Sequence, residues 1–143
     1  LVYRDCYYYN RKRADGSYEM VSYNFNSKEE KIIYEGPVKT CNAIGDNIFF
    51  TEGIEKISDT TFELIIGFKE DAREFCYNLL TGELKEVNSR LPNKVEMKLV
   101  KEYGDYYIFL YSDRNSNVGQ RVGYILKDDY FNDKSKFTLV APE

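Results

Sequence analysis

The stretch Ile44-Gly45-Asp46-Asn47-Ile48-Phe49-Phe50-Thr51 decides the fold of this chain. A Gly-Asp dipeptide tolerates the positive φ of a tight turn, and the β-branched and aromatic residues that follow it fit a pleated, half-buried surface. The same order recurs at residues 103–110, and a copy without the glycine opens the chain at residues 4–9. The turn aspartates lie 41 and 59 residues apart, at Asp5, Asp46 and Asp105. Because each interval is long enough for a four-stranded antiparallel unit, the pattern predicts three such units.

Composition places the chain among globular proteins and argues against nucleic acid binding and against a transmembrane segment. Of its 143 residues, 43% are hydrophobic and 31% are charged, which is typical of a folded domain. No apolar run approaches the roughly eighteen residues of a membrane-spanning helix. The net charge is −4, and neither sign is concentrated in one half. Since nucleic acid binding needs a basic stripe, neither a nucleic acid partner nor a transmembrane segment is expected.

The aromatic content favours sheet and narrows the possible chemistry. The chain has 14 Tyr and 9 Phe but neither His nor Trp. Tyrosine packs its ring on a pleated surface while its hydroxyl reaches water. The absence of histidine excludes Ser-His and Cys-His nucleophiles within this chain and most zinc sites. Carboxylate, lysine or tyrosine catalysis would remain, and no cofactor is expected.

The three cysteines are predicted to be unpaired. Cys6, Cys41 and Cys76 follow one another at intervals of 35 residues, and no CxxC motif is present. Cys6 and Cys76 adjoin aromatic residues in predicted strands, which favours small buried hydrophobes. The alternative is one disulfide with one thiol left over, and the sequence does not define that pair.

Alternating and apolar runs predict eleven or twelve short strands, so the fold class is all-β. Residues 62–68 form the most apolar run, and we expect the most buried strand there. Residues 71–80 fit both a helix stripe and an alternating strand. Strand is favoured, because the matching segments of the other two units offer no helix. Residues 128–135 are expected to be a polar connection before the closing strand.

Residues 45–50 and then 75–84 present a Gly-Asp turn, an apolar strand, aromatic alternation, a Thr-Gly turn and a short closing strand. In this order the chain resembles the blades of bacterial TolB-like β-propellers, and the resemblance spans nearly its whole length. It implies antiparallel meanders in one domain, residues 1–143, with blade-like units at about 1–36, 37–90 and 91–143. The first unit would lack its opening strand. The resemblance also implies a bacterial, extracytoplasmic protein.

Three blade-like units do not by themselves define how the fold is completed at its edges. Propellers usually close with about four to eight blades, so three would leave two exposed edges. The chain could be part of a longer propeller, its units could pack as a β-sandwich or β-barrel, or its edges could pair between subunits. The chain begins with Leu1 and has no apolar leader, so we expect a processed form or an excised segment.

Tyrosine clusters are the candidate binding surface. Exposed aromatic patches mark binding sites, and a stacking platform suits sugars or extended peptides. Successive residues of a strand point to opposite faces, so only about half of each run can share one surface. The candidates are Tyr7, Tyr9, Tyr107, Tyr111 and Tyr130.

A loop carries part of a calcium-binding pattern, with oxygen-bearing side chains at Asp113, Asn115 and Asn117. Val118 stands where such a loop needs glycine, and Tyr124 replaces the bidentate glutamate. We therefore expect a solvated hairpin loop rather than a metal site. The adjacent acid pairs also fall in polar turns, at residues 29–30, 70–71 and 128–129.

The first functional hypothesis is a non-catalytic binding or scaffold module with a protein or carbohydrate partner. The alternative is a carbohydrate-active hydrolase, or its accessory domain, that uses paired carboxylates. The alternative requires two acids that converge in one pocket. The sequence leaves the oligomeric state open.

Overall fold

The computed structural model describes residues 1–53 and 72–141. These residues form twelve strands, one short α-helix and one turn of 3-10 helix. The strands are β1 (Val2–Tyr3), β2 (Cys6–Lys12), β3 (Tyr18–Asn24), β4 (Glu30–Tyr34), β5 (Val38–Ile44), β6 (Asn47–Glu52), β7 (Glu74–Asn78), β8 (Leu84–Val87), β9 (Val95–Tyr103), β10 (Tyr106–Asp113), β11 (Arg121–Leu126) and β12 (Thr138–Leu139). The helical elements are α1 (Lys127–Asn132) and the 3-10 turn Lys134–Lys136.

The strands form three four-stranded antiparallel sheets, each from consecutive strands. Sheet A has the order β1-β2-β3-β4, sheet B has β5-β6-β7-β8, and sheet C has β12-β11-β10-β9. The prediction of an all-β fold with three antiparallel units is confirmed. None of the sheets closes into a barrel within the described ranges, so the barrel alternative is wrong.

The three turns predicted from the aspartates are structurally equivalent. In each sheet the aspartate carbonyl accepts a hydrogen bond from the backbone N–H that follows the third strand. The pairs are Asp5 with Phe25 at 2.8 Å, Asp46 with Leu79 at 2.7 Å, and Asp105 with Lys127 at 2.9 Å. The residue before each aspartate has a positive φ, namely Arg4 (54°), Gly45 (59°) and Gly104 (56°). Arg4 therefore adopts the left-handed conformation that glycine adopts in the other two turns.

Sheet B lies between the other two sheets and packs on both. Because strand residues alternate between faces, Ile48 and Phe50 contact sheet A while Phe49 contacts sheet C. The core between A and B contains Tyr8, Met20, Ile33, Val38, Ile48, Phe50, Phe75 and Tyr77. The core between B and C contains Ile44, Phe49, Cys76, Val87, Leu99, Tyr107, Phe109, Ile125 and Tyr130.

The third unit departs from the other two after its third strand. Strands β3 and β7 end at Asn24 and Asn78, whose side-chain oxygens each accept two backbone N–H groups and so form a tight turn. Leu126 stands at the matching position and has no such oxygen, and α1 follows it instead. The expectation of a polar connection at residues 128–135 was therefore wrong, because α1 and the 3-10 turn occupy that segment.

Other strand predictions have mixed outcomes. Strand was the correct choice for residues 71–80, since β7 lies there. The opening strand of the first unit is present as β1, so the expectation that it is lacking was wrong. The strand predicted at residues 62–68 lies outside the described residues. No helix in the described part of the chain has the length and apolar character needed to cross a membrane.

Candidate functional site

The five candidate tyrosines lie in three different places. Tyr7 and Tyr9 lie on the outer face of sheet A, away from sheet B. Tyr111 is half-buried beside the B–C core, with its ring 5.1 Å from that of Phe137. Tyr107 and Tyr130 are each only 2% exposed, so their assignment to the surface was wrong. They fill the space between sheets B and C.

Tyr7 and Tyr9 form a stacked pair on β2. Alternate residues of a strand share a face, and the two ring centroids are 5.2 Å apart with an interplanar angle of 17°. Tyr7 is 43% exposed. The Tyr9 hydroxyl donates a hydrogen bond to Glu30 at 3.0 Å. Desolvation, followed by this hydrogen bond, raises the pKa of Tyr9, so the hydroxyl stays protonated at neutral pH.

The strand register extends this pair into a larger apolar face. Tyr7 lies opposite Tyr23 and Tyr9 opposite Val21, and Val21 pairs in turn with Ile32 of β4. Ile32 is 47% exposed. We call Tyr7, Tyr9, Val21, Tyr23 and Ile32 the tyrosine face. It lies on the side of sheet A that faces away from sheet B, where Tyr7 and Ile32 are exposed and Val21 is fully buried.

An ion-pair network borders the tyrosine face and fixes its position. Arg11 Nε donates to Glu19 at 2.8 Å, and Arg11 Nη1 donates to Glu30 at 2.7 Å. Arg13 Nε also donates to Glu19 at 2.8 Å. The hydrogen bonds from Arg13 and then Arg11 hold the pKa of Glu19 below its usual value. Through Glu30, the network reaches the hydroxyl of Tyr9.

A small cleft of about 180 Å³ opens between sheets B and C. Its lining is Asn47, Cys76, Asn78, Glu83, Lys85, Tyr107 and Phe131. The Lys85 ammonium lies 4.3 Å from the centroid of the Phe131 ring, a cation–π contact. Glu83 is the one carboxylate among these lining residues, whereas hydrolysis by an acid pair needs two.

The loop with the partial calcium pattern uses its oxygens for turn formation. The Asp113 carboxylate accepts the backbone N–H of Asn115 at 2.8 Å, and the Asn115 amide donates to the Asn93 carbonyl at 3.2 Å. Asn117 is exposed. No group of three or more His, Cys, Asp or Glu side chains that could hold a metal occurs in residues 1–53 and 72–141.

The cysteines are unpaired, as predicted. Cys6, Cys41 and Cys76 are all free thiols, and Cys76 is buried in the core between sheets B and C. Burial raises the pKa of Cys41 to about 11 and that of Cys76 to about 12. Both thiols are therefore protonated and unreactive at neutral pH.

Sequence reasoning missed a second uncovered face, on sheet C. The alternation of Val122, Tyr124 and Leu126 was correctly identified as a strand, but Gly123 and Ile125 are the β11 residues that face the core. Val122, Tyr124 and Leu126 are 45%, 39% and 42% exposed. Both the odd-numbered and the even-numbered residues in the first half of strand β10 are apolar or aromatic. A strand that is apolar on both faces indicates a contact surface on each side, and this pattern could have identified the second face.

In residues 1–53 and 72–141 the fold is all-β, with three stacked antiparallel sheets, and the outer faces of sheets A and C have no sheet packed on them. No protein-family model matches the chain, and no curated protein matches it in sequence.

Proposed function

We propose that this chain is a non-catalytic binding or scaffold module, built from β-propeller blades of the TolB-like kind, in a bacterial extracytoplasmic protein. Two features support the propeller part of the proposal. Each sheet is an antiparallel meander whose turn aspartate makes the same hydrogen bond. Successive sheets also pack face to face, as neighbouring blades do.

The tyrosine face is the observation that carries the binding function. It presents stacked aromatic rings, with Tyr7 43% exposed, on the side of sheet A away from sheet B. Large rigid side chains give contact area there at low entropic cost. Glu30 and Arg11 hold Tyr9 in place before any partner arrives. A surface ordered in advance loses less freedom on binding than a mobile one.

Binding is favoured over hydrolysis by the chemistry of the cleft. Within the described ranges a single carboxylate, Glu83, lines it. A glycosidase mechanism needs an acid and a second carboxylate on either side of the scissile bond. The partner we propose for the tyrosine face is a protein segment or a carbohydrate chain.

Amide chemical-shift mapping of the labelled chain tests this function. The probes are an extended tyrosine-rich peptide and a soluble β-linked hexasaccharide. We expect saturable shifts in β2 and β3 with at least one probe. A Tyr7→Ser, Tyr9→Ser double variant should weaken that binding about tenfold or more, because each ring supplies about 1 kcal/mol or more of contact energy.

Leu80→Ser is the matched control, since Leu80 is 72% exposed in the turn between β7 and β8. It removes an exposed apolar side chain without touching the tyrosine face, and it should leave the shifts unchanged. Shifts confined to other surfaces, or no saturable shifts with either probe in a chain whose tyrosine face is not occupied by another partner, would contradict the proposal.

A further inference from the structure

The turn aspartates define two kinds of face in every sheet. Counting from the aspartate, the second and fourth residues contact the preceding sheet, as Ile48 and Phe50 do toward sheet A. Tyr107 and Phe109 of sheet C likewise contact sheet B. The third residue contacts the following sheet, and these residues are Tyr8 in sheet A and Phe49 in sheet B. We call the face toward the following sheet the forward face and the face toward the preceding sheet the backward face. Each internal interface therefore joins a forward face to a backward face.

The forward face of sheet C has no sheet packed on it in the described structure. By the same count it contains Ile108, the third residue after Asp105. Its apolar members on the two central strands are the alternate residues of β10 and their cross-strand partners in β11, namely Tyr106, Ile108, Leu110, Val122, Tyr124 and Leu126. We call these six residues the forward face of sheet C.

These six residues form a continuous apolar patch, bordered on β9 by Lys98 and Lys101, the partners of Leu110 and Ile108. Tyr106 packs its ring edge-on against Tyr124 with the centroids 5.7 Å apart. Tyr106 and Leu126 are opposite each other in the strand register, and they are 39% and 42% exposed. Contiguous exposed apolar surface of this kind marks an interaction site.

The tyrosine face is the complementary open surface at the other end of the stack. Tyr7 and Tyr9 are the second and fourth residues after Asp5, which are the positions of Ile48 and Phe50 in sheet B. They therefore lie on the backward face of sheet A. Within the described residues, therefore, sheet A leaves its backward face and sheet C its forward face without a packed sheet.

We propose that a second copy of this chain binds here, with the forward face of sheet C of each copy packed on the tyrosine face of the other. The proposal rests on the proposed function, because it assigns a partner to the tyrosine face. A second copy satisfies both open faces at once, whereas a partner for one face alone leaves the other exposed. The interface repeats the contact that already joins A to B and B to C.

Two copies joined in this way form a closed ring of six sheets. Six lies within the four to eight blades with which propellers close. Each contact is heterologous, and a twofold axis relates the two contacts, so the assembly ends at two copies. Closure also covers the apolar side chains at both ends of the stack.

Sedimentation equilibrium of the intact chain tests the proposal. We expect a mass of twice 16.8 kDa at micromolar concentrations. Tyr124→Asp and Tyr7→Asp should each convert the dimer to a monomer, because either change introduces a charge into both interfaces. Leu80→Asp is the control and should leave the dimer intact. Circular dichroism checks that each variant retains its sheet content.

Mixing the two monomeric variants distinguishes this arrangement from a symmetric one. A Tyr124→Asp chain keeps its tyrosine face and a Tyr7→Asp chain keeps its forward face, so an equimolar mixture should recover one intact interface and form a weaker dimer. A monomeric wild-type chain at several hundred micromolar would overturn the proposal. Open polymers of the wild-type chain would also overturn it. The same holds if the two variants do not associate when mixed, or if either variant alone remains a dimer.

The same variants separate this proposal from the proposed function. The monomeric Tyr124→Asp chain leaves the tyrosine face accessible and should shift its β2 and β3 amides with the peptide or hexasaccharide. If those shifts occur while the wild-type chain is monomeric, the dimer is wrong and the binding function stands. If the dimer forms but neither probe shifts the Tyr124→Asp chain, the tyrosine face serves self-association, and its use for such ligands is wrong.

Discussion

The Nζ atom of Lys134 lies 2.9 Å from the carboxylate of Glu74 and so joins the helical segment after β11 to sheet B. The two side chains are only 9% and 19% exposed. Glu74 also accepts a hydrogen bond from the hydroxyl of Tyr130 in α1. One carboxylate of sheet B thus anchors two residues of the segment that replaces the simple turn of the other units.

Lys134→Met should destabilise the protein by about 2–4 kcal/mol, because it leaves a largely buried carboxylate without its ionic partner. Urea unfolding at neutral pH measures the change. Lys136→Met is the matched control, since Lys136 is 62% exposed and 3.8 Å from Asp129. Exposed pairs contribute little, so this variant should change stability by no more than about 1 kcal/mol. Equal losses in the two variants would contradict the anchoring role.

Gly45→Ala should cost more stability than Gly104→Ala. Both turn residues have a left-handed φ, so each substitution carries a backbone penalty of roughly 1–2 kcal/mol. At Gly45 an added Cβ would also overlap the carboxylate of Glu102, which would have to move and disturb its ion pair with Lys127, whereas nothing lies within 4 Å at Gly104. The paired thermal unfolding curves should differ in that order. The reverse order would show that the B–C contact at this turn is loose.

Gly123→Ala should destabilise sheet C by about 1–3 kcal/mol through overpacking. Gly123 lies opposite Phe109 in the strand register. An added Cβ would lie 2.5 Å from that ring and 2.8 Å from the carbonyl oxygen of Thr138. Gly119→Ala meets nothing within 4 Å and should change stability by less than about 1 kcal/mol. Denaturant midpoints for the two variants test this, and a neutral Gly123→Ala would contradict the close approach.

The contribution of Glu19 to stability should disappear in acid. Its pKa in the folded protein is held below the usual value by Arg13 and Arg11. Such a carboxylate binds protons more readily when the chain unfolds, so its stabilisation is complete above the unfolded pKa of about 4.3 and is lost as pH falls through the folded pKa. The difference in unfolding free energy between wild type and Glu19→Gln should therefore be largest near pH 7 and shrink below about pH 4. A constant difference from pH 7 to pH 2 would exclude this linkage.

The sequence correctly predicted most of the described strands and turns, because these depend on neighbouring residues. The turns at the three aspartates, and the alternation that follows each, predicted three antiparallel units, and the three sheets confirm them. The choice of strand at residues 71–80 followed from comparison with the other units. The candidate binding surface was predicted in part. Alternation correctly grouped Tyr7 with Tyr9, but it could not show that Tyr107 and Tyr130 lie in the core.

Local patterning determined which side chains share a face of a strand, since a two-residue period is a property of the extended backbone. Only the tertiary structure decided which face is covered, because that depends on where a sheet distant in sequence packs. Tyr107 is buried under sheet B while Tyr106, one residue earlier, is 39% exposed. The helix α1 was likewise decided by long-range contacts, since Tyr130 and Lys134 are held by Glu74, more than fifty residues earlier in the chain.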